Sequence, residues 1–154
     1  MTPGPDWVFV GLGGNLGAEA EILARFDDAG ERLRLWAADG ARIARSPVYR
    51  TAPVGPVAEQ PPFLNQVVGF APAPGLEPRA LLELCRAIEA AHGRTREVDK
   101  GPRTLDVDIL LFGERQVSEP DLVVPHPRMG QRAFVLAPLL DLVGAGQAIE
   151  KIRP

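Results

Sequence analysis

Asp106 and Asp108 are the carboxylates of this chain whose spacing most directly suggests shared chemistry. They lie in Gly101-Pro102-Arg103-Thr104-Leu105-Asp106-Val107-Asp108-Ile109-Leu110-Leu111-Phe112, and the second half of that stretch reads as a strand. Leu105, Val107, Ile109 and Leu111 alternate with Asp106, Asp108, Leu110 and Phe112. Strand side chains point to opposite faces at each step, so both aspartates fall on one face. Two adjacent carboxylates repel unless a cation lies between them, and acids that leave room for water and phosphate oxygens suit Mg²⁺. Alternation is equally the ordinary mark of a half-buried strand with a wet face. The neighbourhood favours the metal. Arg94, Arg96, Lys100 and Arg103 crowd just upstream, in a segment broken by Gly93, Gly101 and Pro102. Acids on a rigid strand beside a basic loop are what phosphoryl transfer requires.

Other polar groups admit two readings each. Asn65 shares a face with Phe63 and Val67, so it is either a polar group in an apolar pocket or a strand-edge Asn. His126 stands between Pro125 and Pro127, which stiffen it either as a plain loop residue or as a donor aimed at phosphate. Arg86 and Glu89 lie three apart on a helical segment, a spacing usually found on a solvated face. The turn Gly13-Gly14-Asn15-Leu16-Gly17 matches neither the dinucleotide fingerprint nor the P-loop spacing. Tight backbone packing is favoured there over ligand contact. Cys85, the single cysteine, cannot form an internal disulfide, and its place on an apolar helix face argues for packing over reactivity.

The elements that must position these groups follow from periodicity. Trp7 to Leu12 reads as a mostly buried strand, and a helix is expected from about Ala18 to Trp36 with the stripe Ile22, Phe26, Ala29, Leu33 and Trp36. Ala41 to Ser46 and Val48 to Thr51 read as one strand interrupted at Pro47. A long proline-rich loop precedes a strand from Phe63 to Phe70. Pro78 opens a second helix with the stripe Leu81, Leu84, Cys85 and Ile88, and Gly93 caps it. After a turn at Gly113-Glu114-Arg115, Gln116-Val117 suggests a short return strand. This order predicts an α+β, ferredoxin-like fold, a mostly antiparallel sheet flanked by helices. The length fits one domain over 1–154, with a core of about 7–142. A net charge of -3 argues against nucleic acid as partner. The chain shows no targeting signal and no stretch apolar enough to span a bilayer, so a cytoplasmic location with no membrane partner is expected.

Taken together, the motifs resemble the 6-hydroxymethyl-7,8-dihydropterin pyrophosphokinase family of the folate pathway. The resemblance runs from about Val8 to Leu142. It rests on Leu12-Gly13-Gly14-Asn15-Leu16, Tyr49-Arg50-Thr51-Ala52-Pro53-Val54-Gly55, Phe63-Leu64-Asn65, Gly93-Arg94-Thr95-Arg96, Gly101 to Asp108 and Pro125-His126-Pro127-Arg128-Met129. The Gly-Pro-Arg-Thr-Leu-Asp-Val-Asp run is the most specific of these.

The resemblance implies transfer of the β,γ-diphosphate of ATP to the pterin hydroxymethyl group, leaving AMP. Asp106 and Asp108 would hold two Mg²⁺ ions, and Arg94 and Arg103 would meet the phosphates as a flexible loop closes. His126, Arg132 and Arg96 would hold the nucleotide phosphates, while Arg86, Glu89 and Ile109 match positions near the nucleotide. Phe63 and Phe134 would sandwich the pterin, Asn65 would hydrogen-bond its edge, and Thr51 and Val54 would offer backbone contacts. The implied partners are these two small molecules, with a monomer favoured and no attached aldolase or synthase domain expected. The chain departs from the family where Gly14 replaces a common Ser, Pro62 a common acid and Lys100 a frequent Trp. Two other readings remain beside this one: a non-catalytic ferredoxin-like binding module, and a nucleotidyltransferase attacking the α-phosphate with the same metal logic.

Overall fold

Val8–Gly14, a run without a charged residue, forms the central strand β1 and pairs antiparallel on both sides, with β4 (Phe63–Phe70) and with β5 (Asp106–Phe112). A strand enclosed on both faces needs no polar alternation, which is why β1 reads as apolar and glycine residues throughout. The computed structural model describes residues 3–38, 40, 42–51, 60–93, 103–129 and 142. On the other side of β4 lie β2 (Ala44–Arg45) and β3 (Tyr49–Thr51). The interrupted strand expected there is two short pieces laid along one neighbour, with Pro47, which has no N–H to give a ladder, between them. Helix α1 (Glu19–Arg34) follows β1 and helix α2 (Pro78–Ala91) follows β4. The result is an α+β, ferredoxin-like arrangement with a mostly antiparallel sheet.

Both helices cover the same face. Ile22, Phe26, Ala29 and Leu33 of α1 and Leu81, Cys85 and Ile88 of α2 join Val8, Val10, Leu12, Val68, Phe70, Val107 and Ile109 in the main core. Trp36 does not complete the α1 stripe: the helix ends at Arg34, Leu35 caps it, and Trp36 is 39% exposed. Once helical geometry stops, a spacing of three no longer returns a side chain to the same face. α2 starts at Pro78, as expected, and stops before Gly93, whose φ of 70° lies in the left-handed region that closes a helix without a Cβ clash.

A smaller cluster lies on the opposite face: Trp7, Phe9, Val67, Leu110, Leu111 and Met129. Its composition breaks the alternation read along 105–112. Phe9 pairs with Leu111 but Val10 pairs with Ile109, so Leu110 is an extra residue, a β-bulge. Beyond it the parity reverses, which sends Leu111 to the second cluster and Phe112 to the helix side. The short strand expected near Gln116-Val117 exists as β6 (Val117–Glu119), but its partner is β7 (Leu122–Val124), in a separate hairpin. The outer edge of β5 is taken by other groups. Val107 N–H donates to Glu89 Oε2 at 2.9 Å and His126 N–H donates to the Leu110 carbonyl at 2.9 Å. An edge covered in this way offers no ladder to a returning strand. Among the described residues no helix is long and apolar enough to cross a membrane.

Candidate active site

Strand register decides what the face opposite the helices presents. Gly13 pairs with Asp106 on one side and with Asn65 on the other, and Asn65 pairs in turn with Tyr49. The four residues form one row across the sheet. Val107 and Ile109 belong to the helix-side core, so the intervening Asp106 and Asp108 face away from it. Neighbouring strands lie about 4.8 Å apart, which separates the Asp106 and Asn65 backbones by roughly 10 Å. Gly13 leaves the floor between them open. A Cβ there would come within 3.2 Å of Asn65 Oδ1.

Asn65 is not a strand-edge residue. β4 has neighbours on both sides, and Asn65 is only 8% exposed. Its Nδ2 donates to Thr51 Oγ1 at 2.9 Å, and Thr51 pairs with Phe63 across β3 and β4. Half-buried Phe63, Asn65 and half-buried Thr51 therefore make one patch, an aromatic surface beside a fixed amide. Such a patch suits the edge and face of a flat heterocycle.

At the other end of the row Arg103 Nη1 donates to Asp106 Oδ2 at 2.6 Å. Arg103 Nε is buried and has no protein partner among the described atoms. The backbone of Arg103 is held by Asn15, a residue the sequence reading did not single out. Arg103 N–H donates to Asn15 Oδ1 at 2.8 Å, and the N–H groups of Asn15 and Leu16 donate to the Arg103 carbonyl at 2.9 and 3.1 Å. Asn15 Nδ2 also donates to Gln60 Oε1 and to the Pro61 carbonyl, both at 2.9 Å. Fully buried Asn15 thus ties the segment that leads to Phe63 to the segment that leads to Asp106. The expectation of tight backbone packing in the glycine turn holds: a Cβ on Gly14 would stand 2.7 Å from the Thr104 carbonyl oxygen. The sequence signals for Asn15 were its place among glycines and its membership of the Leu12-Gly13-Gly14-Asn15-Leu16 motif.

A cleft of about 470 Å³ opens at the outer edge of β5, between α2 and the segment 120–127. Arg86, Glu89, Asp108, Ile109 and His126 all line it, beside the apolar walls of Leu82, Leu122 and Val123. Arg86 and Glu89 do not form a solvated pair. Glu89 is 5% exposed and caps the Val107 N–H, whereas Arg86 reaches outward to Asp121 Oδ2 at 3.3 Å. Helical spacing put them on neighbouring positions, but the packing of α2 on β5 buries one and exposes the other. Asp121 is also gripped bidentately by Arg79, at 2.8 and 3.0 Å, and Arg79 reaches Glu119 as well. Hydrogen bonding from Arg79, with its charge and a smaller contribution from Arg86, pulls the Asp121 carboxyl down to about 2. His126 Nδ1 accepts from Arg128 N–H at 3.2 Å, so the neutral ring carries its proton on Nε2. Met129, buried in the second cluster, anchors the segment that carries His126. Burial pushes the Cys85 thiol well up, with the Asp108 and Glu89 carboxylates adding to the shift, which suits packing and not nucleophilic work.

The expected residues Val54, Arg94, Arg96, Arg132 and Phe134 lie outside the described residues. Among the described residues no three His, Cys, Asp or Glu side chains gather into a metal cage. Asp106 and Asp108 on one face fit a hard cation that completes its shell with water and phosphate oxygens.

Residues 9–144 match the family described as 7,8-dihydro-6-hydroxymethylpterin-pyrophosphokinase (HPPK). The chain is 47% identical over 135 residues to the 2-amino-4-hydroxy-6-hydroxymethyldihydropteridine pyrophosphokinase of Pseudomonas aeruginosa, covering 88% of this chain and 79% of that protein. It is 43% identical over 148 residues to the protein of the same name from Methylorubrum extorquens, covering 93% and 89%. It is also 41% identical over 139 residues to a mitochondrial folate synthesis bifunctional protein of Arabidopsis thaliana, covering 90% of this chain but 24% of that longer one.

Proposed function

Because the chain belongs to the 7,8-dihydro-6-hydroxymethylpterin-pyrophosphokinase family, we propose that the row Asp106–Gly13–Asn65 is the line along which its two substrates meet. The chain is an ATP-dependent pyrophosphokinase. It transfers the β,γ-diphosphate of ATP to the hydroxymethyl group of 6-hydroxymethyl-7,8-dihydropterin in folate biosynthesis, giving AMP and the pterin diphosphate.

In this reading the pterin lies at the Asn65 end. Phe63 and Phe134 stack on its faces, Asn65 and Thr51 meet its polar edge, and Val54 adds a backbone contact. The nucleotide occupies the cleft at β5, against Arg86, Glu89, Ile109 and His126, with Arg96 and Arg132 on its phosphates. Arg94 and Arg103 neutralise the transferred group. Two Mg²⁺ ions, held by Asp106 and Asp108, would offset and orient the triphosphate charge. Phosphoryl transfer asks for alignment and charge neutralisation more than for a covalent nucleophile, and this division of residues supplies both. The observation that carries the reading is the single row, which sets an aromatic and amide patch roughly 10 Å from a carboxylate pair beside a cleft. The proposed setting is a cytoplasmic monomer that takes only these small molecules.

Incubation with Mg²⁺, ATP and 6-hydroxymethyl-7,8-dihydropterin, followed by phosphorus NMR, tests it. AMP and pterin diphosphate in equal amounts are expected. ADP would indicate ordinary kinase chemistry, free diphosphate nucleotidyl transfer, and no turnover a binding module.

A further inference from the structure

The cleft assigned to the nucleotide contains a carboxylate that its function does not call for. Asp121 lines the wall next to Arg86, although a polyanionic triphosphate gains nothing from a neighbouring negative charge. Its surroundings explain how it is held. Arg79, two turns before Arg86 on the same helix, grips both carboxylate oxygens at 2.8 and 3.0 Å. Arg86 makes one longer contact, 3.3 Å, to Oδ2. Arg79 does not line the cleft, whereas Arg86 does. Asp121 therefore has a firm bidentate partner outside the cleft and a weak monodentate one inside it. The bidentate pair has the stronger geometry and the single contact is the one readily exchanged. The carboxyl stays ionised throughout the neutral range.

We propose that Asp121 tunes nucleotide affinity: anchored by Arg79, it competes with ATP for the Arg86 guanidinium. This rests on the reading that the cleft takes ATP and adds a named competitor to it. Binding then exchanges one Arg86 contact, with Asp121, for another, with an oxygen of the nucleotide. Arg79 keeps Asp121 partnered after the exchange, so no carboxylate is stranded. Both side chains are about half exposed, which sets the competition at a few-fold in affinity.

The test is a double-mutant cycle read by calorimetry with a non-hydrolysable ATP analogue and Mg²⁺, together with KM values for ATP and for the pterin. Asp121→Asn should tighten nucleotide binding and lower KM for ATP by roughly three- to fivefold. KM for the pterin should not follow, and Asp121→Glu should restore the original ATP affinity. Arg86→Ala should weaken the nucleotide, and in that background Asp121→Asn should have little further effect. An equal gain from Asp121→Asn with and without Arg86 would overturn the proposal in favour of a through-space charge effect. Weaker binding in Asp121→Asn alone would overturn it in favour of direct contact between Asp121 and the nucleotide. Unchanged nucleotide affinity in Arg86→Ala would remove Arg86 from the nucleotide site, and the proposal with it, while leaving the transfer reaction itself to the product assay.

Discussion

The two ends of the row are built differently. The end proposed for the pterin is made of strand side chains whose neighbours are fixed by ladder register: Asn65 between Gly13 and Tyr49, Thr51 opposite Phe63. The side-chain bond from Asn65 to Thr51 is partly sheltered. The end proposed for the nucleotide is assembled from a helix, a sheet edge and a hairpin, and exposed ion pairs join the helix to the hairpin. A sheet face is stiff because each residue is braced by backbone bonds on both sides. An assembly of exposed charges can exchange partners at small cost, since each pair is worth little in water. The pterin end is thus suited to shape selection, and the nucleotide end to trading protein contacts for phosphate contacts.

The sharpest way to break this division lies where the two ends meet. Asp108→Ala should lower Mg²⁺-dependent turnover at least roughly a hundredfold while the fold persists, because a lost electrostatic group at a reacting phosphate costs that much or more. Asp106→Ala should match it in turnover and also lose up to about 1 kcal/mol of stability, since its carboxylate is paired with Arg103 in a partly buried contact. Turnover assays beside chemical denaturation separate the two effects, and near-normal activity in either variant would remove that aspartate from the metal site.

Asn15→Ala should cost roughly 2–4 kcal/mol of stability, because it deletes three side-chain hydrogen bonds at a fully buried position. Urea titration reads this directly. A loss below about 0.5 kcal/mol would mean that the two segments are joined by packing and not by this amide.

Phe63→Ala sharpens the contrast between the ends. Pterin affinity should fall about tenfold, from a lost stacking surface worth roughly 1 kcal/mol or more, with ATP affinity nearly unchanged. Equal losses for both ligands in calorimetry would assign Phe63 to general packing.

The smallest expected effect concerns acid. Asp121 titrates near 2 in the fold against an ordinary value of 3.8. A depressed carboxyl contributes stability that is present above about 3.8 and is lost as the pH falls toward about 2. The Tm difference between the parent and Asp121→Asn should therefore be full above pH 4 and vanish near pH 2. A difference that does not change over this range would mean that the ion pair adds nothing to stability.

The sequence by itself determined that Asp106 and Asp108 share a face, because a period of two is a property of any single strand. In the same way it determined the apolar stripes of both helices, Trp36 apart, and the stop at Gly93, which depend on local backbone geometry. It could not reveal that Gly13 stands between Asp106 and Asn65, since register joins segments about fifty and ninety residues away in the chain. Nor could it foresee the bulge at Leu110, which reverses the parity of Leu111 and Phe112 where β5 meets β1. Arg86 and Glu89 looked alike on a helical wheel, and only the docking of α2 on β5 buried Glu89 beneath Val107 and left Arg86 to a hairpin 35 residues on. Periodicity is set within an element by its own backbone. Partnership between elements is decided by which surfaces the whole chain brings together, and in this protein the site lies almost entirely in those partnerships.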